Sequence, residues 1–150
     1  MKVTILLADS VQTVEGKLYI LGGGWNIIGP APSPFALALV IEVDWNESNE
    51  EHDLLLELLD IDGRTVQIPT PAGDKPCTIN SKFEVGRPPG LRPGTPLNIP
   101  IVINMGPIPL EPGKGYMWRC KINGHTEENW QVNFSTRPVR STRQGAGASE

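Results

Sequence analysis

Cysteine and histidine are scarce in this chain, two of each, and the scarcity closes off most metal and nucleophile chemistry. At their spacings Cys77, Cys120, His52 and His125 cannot build a zinc set, so no metal site and no cofactor is expected. Cations are outnumbered as well, 13 Lys and Arg against 17 Asp and Glu for a formal charge of −4. That balance argues against a nucleic-acid or anionic membrane partner, because such partners need clustered basic side chains. No apolar run approaches the roughly 18 residues of a membrane span. The opening Met1-Lys2 runs straight into strand pattern, without the charged, apolar and cleavable regions of a signal peptide. The expectation is a soluble protein made inside the cell and not exported by the usual signal.

What the chain does have is punctuation. Its 15 prolines and 16 glycines exceed ordinary usage and suit many short strands joined by tight turns. Lys2–Ala8 reads as a first strand, Val14-Glu15-Gly16-Lys17 as a turn, and Lys17–Leu21 as the return. Phe35–Trp45 sets Phe35, Leu37, Leu39, Ile41 and Val43 against Ala36, Ala38 and Val40, which marks a central strand. Asn46–Glu51 is an acidic loop with room for one helical turn. Asp53–Ile61 is rich in leucine, a good helix former, but its length and the Asp62-Gly63 turn favour a hairpin with Arg64–Ile68 returning. Pro69–Pro76 reads as a loop, and Thr78–Val85 as a strand with Ile79, Ser81, Phe83 and Val85 inward. Gly86–Pro96 is too rich in Pro and Gly for a regular element. Leu97–Met105 alternates cleanly, with Pro100 on the polar phase as an edge strand allows.

The stretch Met105–Phe134 says most about the fold. Tyr116, Trp118, Cys120 and Ile122 share one face of a strand, and Trp130, Val132 and Phe134 share one face of the next. Asn123-Gly124 between them is a hairpin signal, followed by polar residues that suggest a loop of more than two. Leu110-x-Pro112-Gly113-x-x-Tyr116 has the pattern of a tyrosine corner, in which the hydroxyl ties back to the backbone just upstream. Eight or nine strands at roughly 8–12-residue spacing predict an all-β, immunoglobulin-like Greek-key β-sandwich over residues 1–136, with a jelly roll as the alternative. Residues 137–150 read as a flexible tail carrying Arg137, Arg140 and Arg143. Cys120 falls on a core face and Cys77 in a Pro-bounded loop, so the two are expected to be unbonded.

Candidate sites are few. Asp60-x-Asp62-Gly63 resembles half a calcium loop, but Thr65, Val66 and Gln67 follow where further ligands are needed, and a hairpin turn is the simpler account. His52 and His125 read as exposed turn histidines; neither they nor Asp9 and Asp44 have the spacing of a catalytic set, and no catalytic residue is assigned. A ligand carrier would need Trp25, Trp45 and Trp118 to line one cavity. Gly22-Gly23-Gly24-Trp25 lacks the Lys and Ser/Thr of a phosphate loop. Three glycines in a row predict a bulge, a bend or a close backbone approach. Behind them Trp25, Ile27 and Ile28 place large apolar groups where a loop should be polar. Gly22, Gly23, Gly24, Trp25, Ile27 and Ile28 are therefore the candidate protein-binding residues. The alternative is that Trp25 and Ile27 cap one end of the core.

The opening M-K-V-T-I-L-L-A-D-S with G-K-L-Y-I-L-G-G-G-W, and the hairpin L-L-D-I-D-G-R-T-V, resemble an uncharacterised family of small proteins of actinobacteria and some of their phages. The resemblance runs over about residues 1–135 and carries no catalytic residue. With no signal-peptide pattern or membrane span in the sequence, the expected place is the cytoplasm, or the virion if the chain is phage-encoded. The expected function is a non-enzymatic interaction or structural module, such as a head or tail accessory, whose partner is another protein chain, either itself or a virion component. A small-ligand-binding sandwich is the alternative.

Overall fold

In the computed structural model, which describes residues 1–140, alternation becomes two packed sheets. The strands are β1 (Lys2–Val14), β2 (Lys17–Gly23), β3 (Ile27–Ile28), β4 (Phe35–Val43), β5 (Glu51–Asp60), β6 (Gln67–Thr70), β7 (Gly73–Pro76), β8 (Thr78–Glu84), β9 (Leu97–Met105), β10 (Gly115–Ile122) and β11 (Gln131–Thr136). One sheet has the order β2-β1-β4-β9, the other β3-β11-β10-β5-β8, and β6-β7 form a separate ribbon. Besides the short β3 excursion, the chain crosses between sheets from β4 to β5, from β8 to β9 and from β9 to β10, and the neighbours β1-β4-β9 facing β11-β10-β5-β8 make the immunoglobulin-like Greek key. Of the expected tail 137–150, residues 141–150, Arg143 among them, lie outside the described residues.

The main core fills with the inward phase of each strand. Leu7, Leu37, Leu39, Ile41, Leu54, Leu56, Leu58, Trp118 and Cys120 are completely or almost completely buried. Cys77 and Cys120 are free and buried. Burial pushes both thiols up, Cys120 to about 12, because the apolar interior disfavours the thiolate. Pro100 sits on β9, an edge of its sheet, opposite Val40. Ser81, expected inward, is exposed because β8 is the edge of the other sheet. Among the described residues no helix is long and apolar enough to cross a membrane.

The tyrosine corner is present. Tyr116 is buried, and its hydroxyl accepts the Glu111 N–H at 3.0 Å. Tyr116→Phe leaves that N–H short of an acceptor and is expected to cost about 1–2 kcal/mol, read as a lower urea midpoint with unchanged slope.

Two expectations need correction. The Arg64–Ile68 return strand is cut short: it makes one bridge, Thr65 to Leu59, and a Val66 N–H bond to the Leu58 carbonyl at 2.8 Å. The chain then leaves the sheet, and Gln67–Thr70 pairs with Gly73–Pro76 where a loop was expected. It rejoins at Cys77, whose carbonyl accepts the Leu58 N–H at 3.0 Å and whose own N–H meets the Val66 carbonyl at 2.8 Å. Leu58 thus spends both backbone groups on Val66 and Cys77, and the ribbon is an excursion between them. The first strand is also longer than Lys2–Ala8, continuing to Val14.

That extension matters. Ala8, Ala36 and Ala38 lie on the face opposite Leu7, Leu37 and Leu39, and they are buried with Val11 in a second cluster flanked by Leu6, Leu18 and Val102. β1 reaches β9, with which it shares no ladder. The outer half of the β1–β2 hairpin therefore folds over the back of its own sheet, and the small alanines make room for it.

Candidate functional site

The β1–β2 hairpin turns at Glu15-Gly16, with φ of 51° and 73°, the left-handed pair of a tight two-residue loop. Its rungs run from Val14↔Lys17 through Ser10↔Leu21 and resume at Ala8↔Gly23. The missing rung is Asp9 with Gly22. Gly22 has φ 59°, and a side chain there would collide with the Asp9 carboxylate. The hairpin bends at this point, and only glycine meets both demands. Beyond the bend the Gly24 N–H donates to the Leu7 carbonyl at 2.7 Å.

Trp25 then turns inward. Its ring is half-buried and meets Phe35 edge-on at 6.1 Å and Phe134 at 6.5 Å between centroids. Ile28 is half-buried against the same core. β3 lies parallel to β11: the Ser135 N–H donates to the Asn26 carbonyl at 2.8 Å, and the Arg137 N–H to the Ile28 carbonyl at 2.9 Å. The Arg137 guanidinium donates to the Gly29 carbonyl at 3.0 Å. Of the six candidate residues, Gly22, Gly23, Gly24 and Ile27 are exposed, while Trp25 and Ile28 are anchored in the core.

Sequence reading missed the neighbours that carry more apolar surface. Tyr19 is 55% exposed and Leu21 72%, with Ile20 exposed between them, while Ile27, already among the six candidates, is 50% exposed. The legible signal was the run Leu18–Trp25, which contains no charged residue. β2 is also an edge whose outer side no strand pairs among the described residues. The other edges are defended in ordinary ways: β8 carries Lys82 and Glu84, β9 carries Pro100, and β3 is two residues long. β2 has only Lys17, at its start.

The polar candidates do not converge. His52 was expected in solvent but is 3% exposed. It stands opposite Phe83 across β5 and β8. Its Nε2–H donates to the Glu47 carbonyl at 2.8 Å, and its Nδ1 accepts from the Asn123 amide at 2.9 Å, so both ring nitrogens are spent on structure. Asn123 holds its place because its Oδ1 accepts the Asp53 N–H at 2.9 Å. Asn123-Gly124 makes a tight turn (φ 53° and 78°) closed by an Ile122–His125 bridge, and the longer loop follows. His125 is exposed and pairs with Glu127 at 2.7 Å. Asp44 lies 3.5 Å from the Met1 ammonium. The buried Glu57 is held between Arg119 at 3.3 Å and Lys121 at 3.2 Å. Asp60 accepts the Asp62 and Arg64 N–H groups, so the calcium-like motif is a turn. Among the described residues no three His, Cys, Asp or Glu are grouped to hold a metal ion.

Nor do the tryptophans share a cavity. Trp45 lies under the Arg87 guanidinium, 4.3 Å from its ring centre, and Trp118 is wholly buried. The apolar hole beside Trp25, lined by neither of them, holds about 20 Å³. Drug-sized ligands need roughly 300 Å³ or more. A shallow recess of about 450 Å³ lies outside it, bordered by Asp9, Trp25, Ile27 and Arg137.

Residues 3–135 match a family of unknown function, DUF6941. No curated protein and no solved structure matches the chain.

Proposed function

We propose that this chain, which belongs to the DUF6941 family, is a non-enzymatic interaction or structural module that docks another protein chain along the β2 edge and the Gly22–Ile28 segment. The observation that carries the reading is one undefended edge: Tyr19, Ile20 and Leu21 exposed on a free strand that runs into exposed Ile27. Soluble proteins protect such edges with charge or proline, and contiguous exposed apolar surface marks contact sites. Among the described residues an enzymatic reading has no convergent titratable set to use, since His52, Glu57 and Asp44 are each engaged in structural contacts. In this reading the chain works in the cell or, if it is phage-encoded, in the particle as a head or tail accessory.

The test is a photo-crosslinking benzophenone side chain in place of Tyr19, irradiated in the producing cell or particle. Covalent adducts with one defined protein chain are expected, and Leu21→Lys in the same background should remove them without moving the melting temperature. Irradiation that yields no protein adduct of a folded variant overturns the reading.

A further inference from the structure

The contact-surface reading leaves its partner open, and the backbone of β2 narrows it; the identity inferred for that partner rests on the contact-surface reading. Val14↔Lys17 closes a two-residue turn, and in such a hairpin this rung is the hydrogen-bonded one. Alternation then commits the N–H and C=O of Lys17, Tyr19 and Leu21 to β1 and turns those of Leu18 and Ile20 outward. Any strand added to this edge is held by those outward groups.

We propose that the β2 edge docks a second copy of this chain through its own β2 edge, antiparallel, with Ile20 on the two-fold axis. An isologous antiparallel contact places one residue opposite itself, either an outward one, Leu18 or Ile20, bonded to its own copy, or Tyr19 or Leu21, with outward residues bonded on each side. With Ile20 on the axis, Tyr19 faces Leu21 of the partner copy, Leu18 faces a glycine at 22, and Lys17 faces a glycine at 23. Each rung sets apolar against apolar or a long side chain against no side chain, and no like charges meet. With Leu18 on the axis Glu15 would face Leu21, and with Tyr19 on the axis Lys17 would, each setting a charge against the most exposed apolar side chain of the strand. With Leu21 on the axis, Ile20 and Tyr19 would each face a glycine and lose their apolar partners. The Ile20 register also gives Gly22 and Gly23 a second use, as space for the partner copy's Leu18 and Lys17. A partner read by charge has little to hold, because Leu18–Trp25 carries none.

The register is tested by a disulfide on the axis. Residues opposite each other in a hydrogen-bonded antiparallel rung have Cα atoms about 5.5 Å apart, within disulfide range. Ile20→Cys should therefore link to its own copy under mild oxidation. In Tyr19→Cys the two thiols lie two residues out of step, and linkage should be about ten-fold slower or less. The native thiols do not compete, since Cys77 and Cys120 are buried. Leu21→Lys added to Ile20→Cys should slow linkage by about ten-fold. Independently, the unmodified chain should sediment as a dimer at about 100 µM and dilute to monomer. Ile20→Cys linking no faster than Tyr19→Cys overturns the inference, as does an unmodified chain that is monomeric at that concentration. The sedimentation result decides alone if a cysteine variant does not fold. Adducts at Tyr19 with a different chain, beside a monomeric protein, sink the second-copy inference and leave the contact surface standing. A monomer with no adducts sinks both.

Discussion

Trp25→Ala is expected to lower stability by about 3 kcal/mol, the low end for a core aromatic because the ring is only half-buried. The loss has a local cause. The indole stands edge-on to Phe35 and Phe134, so its removal opens the end of the core and leaves two aromatic edges without a partner. Its Nε1 is buried with no acceptor among the described residues. Trp25→Phe, which drops that orphaned N–H and keeps an aromatic ring, should therefore cost less than half as much. Urea unfolding of the two variants checks both numbers. The same samples divide two roles that one residue could combine: association measured in the folded fraction should persist in Trp25→Ala, because the exposed apolar area lies on Tyr19, Leu21 and Ile27. An unchanged unfolding midpoint would remove Trp25 from the core and return it to the contact surface.

Gly22→Val is expected to cost about 3 kcal/mol. A β-branched residue at a φ of 59° is a conformational outlier worth about 1–2 kcal/mol. The added Cβ also meets the Asp9 carboxylate, which must swing away. The variant should lose protection first in the outer half of the hairpin, so that hydrogen exchange rises at Gln12 and Tyr19, which bond each other across the hairpin, before it rises in β4 or β10. Asp9→Ala in the same chain should recover the steric part of the loss and none of the backbone part. Equal exchange throughout the sheet would show that the bend does not hold the flap down.

These two residues also show where sequence reading succeeded. Alternation is local, so Phe35–Val43 and Gly115–Ile122 could be placed with their inward faces correct. The tyrosine corner was legible because donor and acceptor lie only five residues apart. Three consecutive glycines announced a bulge, a bend or a close backbone approach because no strand interior benefits from them. The failures are those of distance and of topology. The burial of His52 depends on Asn123, 71 residues away. Lys17–Leu21 read simply as the return strand of the first hairpin, and whether its apolar side chains are covered depends on which strand ends the sheet, a fact that no window of the sequence contains. The β6–β7 ribbon was hidden by its composition, since Gln67–Pro76 has two internal prolines, Pro69 and Pro71, and no alternating apolar face.

That ribbon leaves and rejoins the sheet against a single residue, Leu58, which bonds Val66 on the way out and Cys77 on the way back. Its length is therefore uncoupled from the register of β5 and β8. Related chains are free to differ in size between residues 67 and 76 while keeping the same sandwich, and foreign peptide grafted at the Thr70–Gly73 tip would be displayed on a stalk whose base is already closed.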